Sequence, residues 1–107
     1  MTFAVYELPK AKLDKDQIFS WIFARSPQGA TAWLKAYDEM IERLQGEADT
    51  FALAQENNKL DLEVREIFFR TKRGRQYRAV FHVESEVAYI LRVRGPGQAP
   101  LSDTQLR

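Results

Sequence analysis

Two periodicities divide the chain. Apolar, aromatic and β-branched residues crowd three late runs, residues 64–70, 76–83 and 87–94, with Gly74 and the Glu84-Ser85-Glu86 cluster in the breaks. Connections of about 3–5 residues suit antiparallel hairpins, so the pattern predicts a three-stranded meander. Earlier, the apolar spacing becomes helical. Ile18, Trp21 and Ile22 fall at i, i+3 and i+4, with Arg25 next at i+7 and Phe19 and Phe23 widening the face. A helix from residue 11 or 14 to 24 follows. Trp33, Tyr37, Met40, Ile41 and Leu44 form a second helical stripe, with Asp38, Glu39, Glu42 and Arg43 on the opposite side.

Local signals set the boundaries. Residues 3–8 read as a short first strand stopped by Pro9, which cannot donate to a ladder. Ser26-Pro27 starts the second helix, with serine as N-cap and proline at the first helical position. Gly46 is the expected residue just past its end. Residues 45–50 read as a loop, 51–56 as a helical turn and 57–59 as a turn. The tail from Gly95 holds two glycines and two prolines and is expected to be irregular, with Ser102 to Leu106 as a possible short helix start. The predicted architecture is α+β in the order β-α-α-β-β-β. It is one domain spanning residues 1–107, with a helical hairpin on one face of a small, mainly antiparallel four-stranded sheet.

Strand parity assigns faces. Tyr77, Ala79, Phe81 and Val83 share one side, and Val87, Tyr89, Leu91 and Val93 are expected beside them under the helices. Arg78, Val80 and His82, with Ala88, Ile90, Arg92 and Arg94, are expected on the open face. Parity leaves Arg65 undecided. Val80, Ala88 and Ile90 form an apolar patch there, suited to a partner or to coverage by the chain's own tail.

Composition narrows the class. There is no cysteine, which excludes a disulfide framework and thiolate metal sites and fits a reducing cytosol. The first residues lack the basic start and apolar run of a signal peptide, and no run reaches the roughly 20 apolar residues of a membrane span. A cytoplasmic protein is expected, with no membrane partner, metal or small-molecule cofactor. Net charge is +1 but unevenly spread. Residues 1–62 carry seven Lys and Arg against ten Asp and Glu, whereas residues 63–94 carry eight against four. The basic meander is either a working face for nucleic acid or an acidic partner, or a solvated sheet surface.

The element order, with Val64-Arg65-Glu66-Ile67, then Gln76-Tyr77-Arg78-Ala79-Val80-Phe81, then Tyr89-Ile90-Leu91-Arg92-Val93-Arg94, resembles the RelE/ParE superfamily of type II toxin–antitoxin toxins, often described as plasmid-stabilisation proteins. The resemblance covers residues 3–101. It implies a growth-inhibiting toxin neutralised by a cognate antitoxin. RelE-like members cut messenger RNA on the ribosome, and ParE-like members inhibit DNA gyrase. Arg78 matches the strand arginine that stabilises the scissile phosphate in RelE-like enzymes, and Arg65 matches a strand arginine of some ribonuclease members. Arg94 precedes the place where many members carry a late histidine or a basic-aromatic tail. Here that place is Gly95-Pro96-Gly97, so the reading leans to the ParE-like branch. The alternatives are a ribosome-dependent mRNA endonuclease and a non-toxic relative that only binds a partner.

Under the endonuclease alternative Arg65, Arg78, Arg94 and His82 are the candidate catalytic residues. Arginines would steady the phosphorane charge and His82, the only histidine, would move a proton. His82 lies four residues from Arg78, about 13 Å along a strand at ~3.3 Å per residue, which is too far for both to meet one phosphate directly. Glu63 and Glu66 are weaker base candidates, better read as arginine partners. Arg92, Val80 and Ile90 are the candidate partner-binding residues. Trp21 and Trp33, both on helical stripes, are expected in the core.

Overall fold

The computed structural model describes residues 2–59 and 61–106. Met1, Leu60 and Arg107, which the expected leader-free start, the 45–62 stretch and the tail include, lie outside the described residues. Strand β1 (Ala4–Glu7) leads into helix α1 (Pro9–Arg25), and Ser26 alone joins it to helix α2 (Pro27–Glu47). Strands β2 (Arg65–Phe69), β3 (Tyr77–Glu84) and β4 (Val87–Arg94) follow, then a one-turn helix α3 (Asp103–Leu106). The sheet order is β1-β4-β3-β2, with β1 parallel to β4 and the other pairs antiparallel. The helical pair covers one face of this mixed, largely antiparallel sheet, as the sequence pattern requires.

The helix termini follow their local chemistry. Pro9 does more than stop β1: it is the first residue of α1, where a missing N–H costs nothing. Ser26 Oγ accepts from Gly29 N at 3.0 Å, the expected cap of α2. Gly46 is not the terminator. The helix runs through it to Glu47, because the Ala48 N–H still bonds Leu44 O. The α2 stripe is the core: Trp33, Tyr37, Met40 and Leu44 are buried against Ile67, Phe69, Ala79, Phe81 and Ile90. Trp33, Tyr37, Phe69 and Tyr77 pack ring to ring at 5.6–5.9 Å between centroids. Tyr37 donates from its hydroxyl to Glu7 Oε2 at 2.5 Å, pinning α2 to β1. Burial first, and then this carboxylate, push the Tyr37 hydroxyl pKa upward.

Three further expectations are corrected. Trp33 is in the core, but Trp21 is 58% exposed. Helix α1 is apolar on several sides, so its sequence does not single out one buried stripe. Residues 51–56 do not form a helical turn. Residues 52–54 run extended along the outer edge of β2, with Ala54 N to Val64 O at 2.8 Å, Glu66 N to Ala52 O at 3.1 Å, and a Leu53–Arg65 bridge, before the chain turns at Gln55-Glu56. The open edge of β2 offers unpaired backbone groups, and pairing them outweighs the weak local helical preference. The third correction concerns β4. The register shifts between Val80 and Phe81, so Val80 opposes Arg92 while Phe81 opposes Ile90. Leu91 is the extra residue of a bulge, and it inverts parity along the strand. Ala88 and Ile90, expected on the open face, therefore join the helix-covered core with Val93, and Leu91 turns to the other side.

Candidate functional site

The sheet face away from the helices carries most of the candidate residues, and the chain covers it with two of its own segments. A second small core, Val80 with Val64, Ala54, Leu101 and Leu106 and with Leu91 at its rim, joins the sheet to residues 51–64 and to the tail. The tail is less irregular than expected. Ser102 and Gln105 cap α3 reciprocally, Gln105 N donating to Ser102 Oγ and Ser102 N to Gln105 Oε1. Val80 and Ile90 thus present no exposed surface, both being 0% exposed. Coverage by the tail accounts for Val80, and the bulge accounts for Ile90.

Arg78 sits at the centre of this covered face, 8% exposed. Its Nη1 donates to Glu56 Oε1 at 2.9 Å and its Nη2 to Glu56 Oε2, a two-point pairing. Nη1 also donates to Glu66 Oε1 at 3.2 Å. Glu56 is fully buried, and its Oε2 also accepts the Leu101 N–H at 2.8 Å. One carboxylate therefore neutralises Arg78 and fastens the tail. Lys59 Nζ donates to Leu101 O at 2.7 Å from the same segment. Burial pulls the Glu56 carboxyl pKa upward, but the Arg78 hydrogen bonds and charge and the Leu101 amide outweigh it and hold the group below its ordinary value. The Glu56 hydrogen bond raises the Arg78 pKa in turn, against the cost of burial.

The other candidates are also tied to the chain. Arg92 donates from Nε and Nη2 to Asp14 at 2.7 and 2.9 Å and from Nη1 to Gln105 O at 3.0 Å. Asp14 Oδ2 accepts the Val93 N–H as well, so this pair clamps α1, β4 and α3 together. Arg94 stands directly across from Arg78 and donates to Ala99 O at 2.6 Å. Its Nε is buried with no partner among the described residues. Burial, then the Arg92 charge, lower its pKa. His82 lies opposite Tyr89, and its Nδ1–H donates to Glu63 O at 2.7 Å. Arg65 opposes Phe81 and so emerges on the helix side of the sheet. There it donates to Phe51 O at 2.5 Å and to Glu63 Oε1 at 3.0 Å.

Arg78, Arg92 and Arg94 are therefore brought to one face, His82 lies at its far end, and Arg65 is on the other side. Glu56 and Asp14, which organise the cluster, carry no recognisable motif. The sequence holds one hint for Asp14, which precedes Ile18 by one helical turn on the inward stripe. Among the described residues no group of three or more His, Cys, Asp or Glu side chains could hold a metal, and no helix is long and apolar enough to cross a membrane.

The helical pair on a four-stranded sheet is the fold that RelE/ParE relatives are expected to have, and a solved structure shows the same arrangement. A chain of the "Chromosomal ParDE TA system from P. aeruginosa" aligns with 87% of this chain and 95% of its own length, at 21% identity and a TM-score of 0.64. At that identity the likeness establishes a shared fold. No family model matches the chain, and no curated protein matches it.

Proposed function

We propose that the chain is the toxin of a type II toxin–antitoxin pair, working in the bacterial cytoplasm, neutralised by a cognate antitoxin, and acting in the ParE manner on DNA gyrase. The shared fold with a ParDE chain supports the toxin reading. One observation supports the choice of mechanism. Arg78, the arginine that an RNA-cutting relative would turn toward phosphate, is already paired at two points with the buried Glu56. A phosphodiester would have to displace that carboxylate and the tail fastened to it. Arg65 emerges on the other face, and His82 has its Nδ1–H committed to a backbone carbonyl. Proton transfer and charge stabilisation at one phosphate need groups that converge, and these do not. On this reading Arg78, Arg92 and Arg94 hold the fold together.

The test is the purified chain in two assays, DNA supercoiling by gyrase and integrity of messenger RNA on translating ribosomes. Inhibited supercoiling with intact RNA is the expected result. Cleaved RNA with unaffected supercoiling would replace this reading with the endonuclease alternative. No effect in either assay would leave a partner-binding relative.

A further inference from the structure

The β2–β3 connection and the outer side of α1 meet around a cavity of about 440 Å³. Trp21, Gln17, Arg75, Tyr77, Gly95 and Gln98 line it. Trp21 is more than half exposed, and Arg25 braces its ring at 3.7 Å while donating to the Trp21 carbonyl at 2.8 Å. Tyr77 is fixed from behind by Phe69, stacked at 5.9 Å, and by Trp33, edge-on at 5.6 Å. The cavity therefore has two ring platforms held by the fold, and Gln17 and Tyr77 bring side-chain polar groups that make no hydrogen bond to a described residue. Gly95 is the residue that lets the chain pass Tyr77. A Cβ there would come within 3.2 Å of the Tyr77 ring.

Charge settles the ligand class. The connection that delivers Arg75 also carries Arg70, Lys72 and Arg73, with no acidic residue from Arg70 to Tyr77. None of these four cations forms an ion pair among the described residues, in contrast to Arg78 and Arg92. No carboxylate lines the cavity. We propose that this cavity holds a base of a single-stranded nucleic acid, stacked on Trp21 and Tyr77, with the neighbouring phosphates on the Arg70, Lys72, Arg73 and Arg75 side chains. Aromatic platforms beside a basic track are how single strands are bound with little sequence preference. The site is separate from the covered Arg78 face. It does not rest on the toxin reading, which would stand if this site failed.

Trp21 is the exposed tryptophan and Trp33 is buried, so intrinsic fluorescence reads the site directly. Twelve-nucleotide oligo(dU) and oligo(U), which share a base and differ only in the sugar, are titrated into the full chain at several salt concentrations. Saturable quenching by either is expected, with log affinity falling against log salt at a slope of about −3 for four phosphate contacts. The tighter of the two identifies the preferred sugar. Trp21→Ala and Arg75→Ala should each weaken binding, measured by anisotropy of the labelled oligomer, by roughly tenfold or more. Trp21 is exposed, so its replacement leaves the fold intact, and circular dichroism verifies this. Unquenched Trp21 emission, or a Trp21→Ala chain that binds as tightly as the parent, overturns the proposal.

Discussion

Glu56 shows how much one side chain can organise. It is fully buried, it takes both terminal nitrogens of Arg78, and it holds the Leu101 amide. Removing one member of such a buried pair strands the other charge, at a cost of about 3–5 kcal/mol. Glu56→Ala and Arg78→Ala should each lower unfolding free energy in urea by about that amount. Their double mutant should lose less than the sum, because the second change removes a charge already stranded. Acid titration gives a second check. The folded Glu56 carboxyl lies below its ordinary 4.5, so its contribution is present above pH 4.5 and is lost as pH falls through the folded value. Stability should therefore drop on acidification below pH 4.5, and Glu56→Gln should flatten that part of the curve. The two tryptophans offer a contrast. Trp33→Ala empties a fully packed site and should cost about 3–5 kcal/mol. Trp21→Ala, on the surface, should change stability by about 0.5 kcal/mol at most.

At the scale of elements, sequence legibility followed the range of the interactions. Helix α2 was plain because its stripe and its Ser26-Pro27 start are local signals. The three late strands were plain for the same reason. The bulge at Leu91 was not, because a bulge is defined by which residue opposes which, and that depends on β3. The extended run at 52–54 was hidden because its partner is the edge of β2, several residues further on. Glu56 was invisible in kind: its arginine is 22 residues away and its amide 45. The tail is the element with the clearest mechanical role. Leu101 is fully buried against Val80 and Val64. Leu101→Ala should cost about 2–5 kcal/mol. It should also loosen residues 99–106 first, visible as faster hydrogen exchange at the Leu101 and Leu106 amides than in the rest of the sheet.

At the scale of the whole molecule, the excess positive charge of residues 63–94 divides into two populations. Arg78, Arg92 and Arg94 are turned inward and spent on the fold, and Arg70, Lys72, Arg73 and Arg75 are left without ion pairs among the described residues. The sequence located the basic region but could not make this division, since pairing depends on Glu56 and Asp14 arriving from distant segments. The proposed gyrase-directed toxin makes a prediction for His82, which belongs to neither population. If the chain inhibits growth as proposed, His82→Ala should leave that inhibition unchanged in a colony-forming assay. The most direct test of the account follows DNA synthesis and protein synthesis side by side by pulse labelling, after tight induction of the chain in a host without the antitoxin. The account predicts that DNA synthesis stops first while protein synthesis continues. Early arrest of protein synthesis with DNA synthesis intact would contradict it.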